Sequence, residues 1–330
     1  MSKEIVLACD LGGTNIRIAA VNAEGEILYR LKAETPKTEQ SEEIIKAITE
    51  AAESCRRQAG DSGRIKAFAA AVPATINVEK GVILKAPNVP ALDDFPFAET
   101  VSGKLNLPVI LENDANAAAL GEQSFGAAHG FQNAIAVTLG TGVGGGIIID
   151  GRVLRGVDGT AGEIGHICVE PFGAACGCGS QGCLEQYASA TAIVRLAGEL
   201  EDRYPDSILS GKAGLSSEEV YQAGIKGDEL GREVFRLMGF YLGIALADLV
   251  NVLNPEVIVI GGGAGGGWDL FIDHVESEIK RRAFREPAAR AKVVRAQLGD
   301  DAGILGAARL AFNALPDGNF YETARSRLLS

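Results

Sequence analysis

A chain of 330 residues, 47% hydrophobic and 22% charged, has the length for about two domains and an ordinary globular composition, which excludes a disordered or fibrous protein. Its 31 basic residues stand against 43 acidic ones, a net charge of −12 with no basic tract, so nucleic acid is not expected as a partner. The start has no charged-then-apolar leader, no apolar run approaches about 18 residues, and six cysteines are too few for a disulfide scaffold; a cytoplasmic protein without a membrane partner is expected.

Residues 4–10 form an apolar run ending in Asp10 and two glycines, and shorter runs at 16–21 and 26–31 make a strand-turn-strand-turn-strand opening. Ile44, Ile45, Ile48 and Ala52 recur at helical spacing over 41–58, and an apolar strand at 65–72 closes on Pro73. A strand at 107–112 feeds an alanine-rich helix at 114–121. Residues 134–139, a glycine-rich turn and a strand at 147–150 then repeat the opening, so two related α/β lobes are expected. Helices follow at 188–200, at 216–224 with a capping box from Ser216 to Glu219, and at 228–251 with Asp228 as N-cap. A strand at 256–260, a helix at 270–282 and a last helix at 302–313 lead to a polar tail.

The 42 glycines cluster at 12–13, 140–146 and 261–267, each time just after an apolar run, as backbone does that must approach something closely. Asp10-Leu-Gly12-Gly13-Thr14 joins two strands, so its amides and the Thr14 hydroxyl can line a turn open to an anion. It lacks the ending of a Walker loop and opens a strand, not the helix of a dinucleotide fingerprint. One such turn is equally a plain hairpin. The second, Gly140-Thr141-Gly142-Val143-Gly144-Gly145-Gly146, and the third, Gly261-Gly262-Gly263, make a nucleoside triphosphate the economical ligand.

Glu112-Asn113-Asp114 lies where a strand gives way to a helix, the edge where α/β sheets bind ligands. An Asp or Asn there is commonly only a cap. In a phosphoryl-transfer site the same Asp114 would accept the proton of an attacking hydroxyl, with Asn113 on a neighbouring one. His166, Cys176, Cys178 and Cys183 make a Cys₃His set suited to a closed structural zinc site, with glycines between that free the chain to wrap a metal. Glu163 and Glu185 flank that clamp and suit a ligand with several hydroxyls.

Together these residues resemble the ROK family of repressors, open reading frames and sugar kinases, the most specific piece being Gly162-Glu-Ile-Gly-His166 followed by Cys176-Gly-Cys178-Gly-Ser-Gln-Gly-Cys183-Leu-Glu185. The resemblance implies an α/β, two-lobed hexokinase/actin-like (ribonuclease H-like) fold with an interlobe cleft and a structural zinc site. It assigns 1–113 plus about 302–330 to a small lobe and 114–301 to a large one. It implies an ATP-dependent kinase acting on the 6-hydroxyl of a hexose, most plainly glucose, with Asp114 as base. Asn88, Asn113, Asp114, Glu163, His166 and Glu185 would meet the sugar; Asp10, Gly12, Gly13, Thr14, Gly140, Thr141 and Gly142 would meet phosphate, Asp10 holding magnesium through water; and Gly261, Gly262 and Gly263 would border adenosine. A homodimer or homotetramer is implied as well. Kinases for N-acetylmannosamine, allose or fructose are alternatives, as is a sugar-sensing regulator, although with a strand beginning by residue 4 no helix-turn-helix is expected ahead of it. Where family members carry Pro-Gly-Pro and then Asp, this chain has Pro73-Ala74-Thr75-Ile76-Asn77.

Overall fold

The computed structural model describes residues 4–315; Met1–Lys3 and residues 316–330, including the tail assigned above to the small lobe, lie outside the described residues. The chain divides into two compact units. Among the described residues, the first runs from Glu4 to Gly130 and also takes in Val153–Ala161 and the chain from Asp300 to Leu315. It holds β1 (Glu4–Leu11), β2 (Asn15–Asn22), β3 (Ile27–Glu34), α1 (Ser41–Ala59), β4 (Arg64–Val72), a hairpin of β5 (Thr75–Asn77) and β6 (Val82–Lys85), α2 (Phe97–Leu105), β7 (Val109–Asn113) and α3 (Asp114–Phe125). Its sheet has the order β3-β2-β1-β4-β7, with β1 antiparallel to β2 and parallel to β4. Ile5 to Cys9 are fully buried, which is why this central strand reads as a continuous apolar run and not as an alternation.

The second unit comprises Phe131–Arg152 and Gly162–Gly299. It begins with β8 (Ala134–Leu139) and β9 (Val143–Ile149), and the short β10 (Arg152–Val153) follows at its edge. After the loops come α4 (Glu185–Ala188), α5 (Ala190–Leu200), α6 (Ser217–Ile225), α7 (Glu229–Leu253), β11 (Val257–Gly261), α8 (Trp268–Arg282), α9 (Arg285–Arg290) and β12 (Lys292–Arg295). The sheet order β10-β9-β8-β11-β12 repeats the first sheet strand for strand: a meander, then two parallel strands. The repeated opening seen in the sequence is therefore a repeated sheet. Helix α7 is long and apolar enough to cross a membrane, contrary to the expectation that no run approaches that length; Leu230, Val234, Met238, Leu242 and Leu246 on it are buried in the second unit's core.

The last helix, α10 (Ala302–Ala314), packs in the first unit against α3 and the strands β1 and β4. Small residues make this possible: a Cβ on Gly121 would overlap the Ala302 carbonyl, and one on Gly306 the Ala117 carbonyl. Because α3 and α10 lock together, Asp114–Gly130 belongs to the first unit, and the division falls well beyond the expected boundary after residue 113.

Candidate active site

The parallel strands β1, β4 and β7 end at one edge of the first sheet. Asp10 and Glu112 both stand in register with Ala71 of β4, from either side, which separates them by about 10 Å at ordinary strand spacing. The β1–β2 turn is held at both ends: the Gly12 N–H donates to the Asn15 carbonyl at 2.8 Å, and the Thr35 hydroxyl donates to the Gly12 carbonyl at 2.7 Å. A Cβ on Gly13 would lie 3.0 Å from the Asn88 carbonyl oxygen, so glycine lets Asn88 rest against the turn. The amides of Gly13 and Thr14 donate to nothing among the described residues.

Asp10 meets Arg17 at 3.1 Å, and the other terminal nitrogen of Arg17 meets Asp300 at 3.0 Å. Burial pushes the Asp10 carboxyl above its ordinary range, and the Arg17 guanidinium only partly offsets this. A carboxylate in such a place gains from a divalent cation, which fits the magnesium assignment in chemistry.

Asn113, not Asp114, is the cap of α3: its Oδ1 accepts the N–H groups of Ala115 at 2.9 Å and Asn116 at 3.1 Å, and its Nδ2 donates to the Ala74 carbonyl at 3.3 Å. What Asn113 retains for a ligand is therefore its Nδ2. The departure at Pro73–Asn77 lies against this residue, with Thr75–Asn77 forming β5. Asp114 is the first residue of α3, where the positive end of the helix dipole favours negative charge, and its Oδ1 accepts the Ala115 N–H at 2.9 Å.

In the second unit the parallel β8 and β11 end side by side, Gly261 pairing with Thr138. Gly262 adopts φ +85°, and a Cβ there would lie 2.5 Å from the Leu139 carbonyl, so two of the glycine turns are neighbours. The turn after β8 is shorter than expected, because β9 starts at Val143 and Gly144, Gly145 and Gly146 pair with Thr138, Val137 and Ala136. Gly140–Gly142 remains as the turn. The Ala190 N–H donates to the Gly140 carbonyl at 2.8 Å, and the Thr191 hydroxyl to the Thr141 carbonyl at 2.9 Å. Glu185 Oε2 accepts the Val143 N–H at 3.0 Å, and a Cβ on Gly142 would overlap that oxygen. The Thr141 and Gly142 amides have no acceptor among the described residues.

Glu163 leads a short helical turn, Ile164–His166, that packs on β9: Cβ atoms on Gly145 and Gly165 would overlap Ile164 and the Val143 carbonyl respectively. His166 turns Nδ1 toward Cys176 Sγ at 3.7 Å, while Nε2 lies 4.0 Å from Glu163 Oε2. Cys178 and Cys183 sulfurs are 3.7 Å apart, and the four donor atoms of His166, Cys176, Cys178 and Cys183 all lie within 4.8 Å of one another. A tetrahedral ion with Zn–S bonds of about 2.3 Å holds its sulfurs about 3.8 Å apart, so the donor set and its spacing fit zinc. Burial and the neighbouring thiols push Cys183 up to about 12, a proton affinity that a bound cation would reverse. Close to the cluster, Leu184 N–H donates to the Ile167 carbonyl at 2.9 Å, tying the segments of His166 and Glu185 together.

The structure thus gathers Asp10, Gly12, Gly13, Thr14, Asn88, Asn113 and Asp114 in the first unit. In the second it gathers Gly140–Gly142 with Glu163, His166 and Glu185, and Gly261–Gly263 beside them. Sequence reasoning missed the Arg17 bridge, the hydrogen bond from Val143 to Glu185, and the ion pair of the buried Glu112 with the partly exposed Arg155. The Val143–Glu185 and Glu112–Arg155 contacts are not visible in a sequence window, because their partners come from segments 42 and 43 residues apart, whereas Asp10 and Arg17 face each other seven residues apart across the β1–β2 turn, a cross-strand pairing that the hairpin register alone could have signalled.

The ROK family model matches residues 6–314. The glucokinase of Halalkalibacterium halodurans is 38% identical over 98% of this chain and 100% of its own length. The crystal structure of a ROK family glucokinase from Streptomyces griseus in complex with glucose and AMPPNP matches with a TM-score of 0.79 at 36% identity, covering 94% of this chain and 99% of that one. The xylose repressor of Caldicellulosiruptor bescii is 32% identical over 91% of this chain and 76% of its own length.

Proposed function

This chain belongs to the ROK family, and we propose that it is an ATP-dependent hexose kinase, with glucose as its sugar and the 6-hydroxyl as acceptor. One observation carries the reading: glycine and threonine turns stand at the ends of the equivalent strands β1 and β8, and a carboxylate heads α3 at the same sheet edge as the first of them, two strands away. A sugar sensor needs neither phosphate turn nor base. The likeness to glucokinases supports glucose.

In this reading Asp114 takes the proton from the attacking hydroxyl as its oxygen bonds to the γ-phosphorus and ADP leaves. Gly13, Thr14, Thr141 and Gly142 offer amide N–H groups to the phosphates, and Gly261–Gly263 line adenosine. Asp10 would hold magnesium through water, which neutralises phosphate charge when bound. Asn113 Nδ2, Asn88, Glu163, His166 Nε2 and Glu185 read the sugar hydroxyls. His166 Nδ1 with Cys176, Cys178 and Cys183 would hold zinc, whose four protein ligands leave no open position, so its contribution is to fix Glu163 and Glu185. A cytoplasmic homodimer or homotetramer belongs to the same proposal.

The likeness to a xylose repressor favours a second reading, a sugar-sensing regulator; kinases of N-acetylmannosamine, allose or fructose are the alternatives within the first. ADP release with magnesium and ATP, measured across glucose, mannose, fructose, allose, N-acetylglucosamine and N-acetylmannosamine, separates them. Turnover on glucose is expected. Folded protein that turns over none of the six overturns the kinase reading.

A further inference from the structure

Glu112 is a carboxylate with 1% side-chain exposure, one residue from the end of β7. Its Oε2 accepts Arg155 Nε at 2.8 Å and lies 2.6 Å from Arg155 Nη2. Its Oε1 accepts the Asn113 N–H at 3.1 Å and Asn116 Nδ2 at 3.2 Å. All four interactions converge on the turn in which β7 becomes α3. Packing alone would be served at least as well by an apolar residue, since ionised groups are costly to bury.

Arg155 comes from Val153–Ala161, a stretch that belongs to the first unit although the chain on both sides of it belongs to the second. That stretch is a built loop. The Ala161 N–H closes it on the Arg155 carbonyl at 3.1 Å, and Gly159, at φ +91°, lies where a Cβ would be 2.6 Å from the Ile76 carbonyl. The guanidinium is thus delivered to Glu112 from a loop that has its own anchor.

We propose that Glu112 and Arg155 form a positioning pair for Asp114. Arg155 fixes the Glu112 carboxylate; that carboxylate fixes the Asn113 amide and the Asn116 side chain; and these set the first turn of α3, on which Asp114 is carried. Both act through the first turn of α3 and are given no substrate contact. The inference rests on Asp114 being the base of the proposed kinase, and it assigns the pair to kcat more than to sugar affinity.

The test compares wild type, Arg155→Met and Glu112→Gln/Arg155→Met in three readouts: kcat for glucose with magnesium and ATP, glucose binding by calorimetry, and hydrogen exchange of the amides in the first turn of α3. Arg155→Met leaves a buried carboxylate without its counter-charge. Its kcat should fall at least about tenfold with glucose affinity within about threefold, and exchange at Ala115 and Asn116 should accelerate. Adding Glu112→Gln should recover at least about threefold in kcat and slow that exchange, because a neutral amide oxygen still accepts from Asn113 and Asn116. A second loss from the added substitution, or wild-type kcat in Arg155→Met, overturns the proposal. If Arg155→Met does not fold, Arg155→Lys replaces it: charge retained with a poorer fork should give an intermediate kcat, and wild-type kcat overturns the pair. If wild type turns over no sugar, the kinase reading fails separately and exchange alone decides, with unchanged rates at Ala115 and Asn116 overturning the positioning role.

Discussion

Gly142→Ala separates the second glycine turn's role in binding from its role in folding. Gly142 does not use positive φ, so alanine fits the backbone conformation. Its methyl group, however, would overlap Glu185 Oε2 and stand 3.2 Å from Cδ. To reach ordinary contact the carboxylate must swing by about 1 Å, which carries its 3.0 Å bond to the Val143 N–H out of hydrogen-bond range. A hydrogen bond to a charged group contributes about 1.5–3 kcal/mol, and the lower end suits a half-buried glutamate. If Glu185 reads a sugar hydroxyl, the displacement should raise the glucose KM about tenfold. Folding should lose no more than about the worth of that one Val143–Glu185 bond, because the obstructing atom ends a flexible side chain and alanine also restricts the unfolded chain; for a chain of this size Tm should stay within about 3 °C. Gly165→Ala is the contrast, because its methyl would overlap the backbone carbonyl of Val143 and neither side can yield. Glucose titration in the ADP-release assay with parallel melting curves reads both. A folded Gly142→Ala protein with unchanged KM refutes the placement of Glu185 at the sugar.

Cys178→Ser should drop zinc from about one ion per chain to near none by elemental analysis, and lower Tm and glucose affinity together; full zinc content would remove Cys178 from the ligand set. Asp228 caps α7, accepting the N–H groups of Gly231 and Ile208, each at 2.9 Å, and the Ser207 hydroxyl. Burial acts to raise its carboxyl, but these hydrogen bonds prevail and hold it below the ordinary range. The cap is then fully present above the unfolded value of about 3.9 and is lost as pH falls through the lowered folded value. Asp228→Ala should cost about 0.5–2 kcal/mol in urea melts at pH 7, with the gap from wild type closing in strong acid; a gap constant with pH contradicts the carboxylate's role.

Local signals survived from sequence to structure: the capping box of Ser216 with Glu219 and the Asp228 cap stand as read, because each is settled within four residues. The zinc-type cluster was legible for the same reason, three of its donors lying within eight residues. Tertiary context hid the rest. Gly144–Gly146 looked like loop because glycine is poor in strands, yet pairing with β8 and the need to admit Ile164 against Gly145 make them β9. The edge strand β12 offers two half-buried valines between charged residues, too weak a pattern to register, and α2 is a nine-residue helix interrupted by Gly103. The site's outline could be read from motifs, but the contacts that aim it could not: Glu112 and Arg155 are 43 residues apart.

Asp114→Asn in the ADP-release assay, with the phosphorylated position located by ³¹P–¹H correlation, tests the proposed chemistry most directly. Asparagine keeps the size of the side chain and removes its capacity to take a proton. Wild type should yield glucose phosphorylated on the 6-hydroxyl, while the variant should bind glucose measurably in calorimetry and turn over at least about a hundredfold more slowly. Near-wild-type turnover in a folded Asp114→Asn protein would contradict Asp114 as the base.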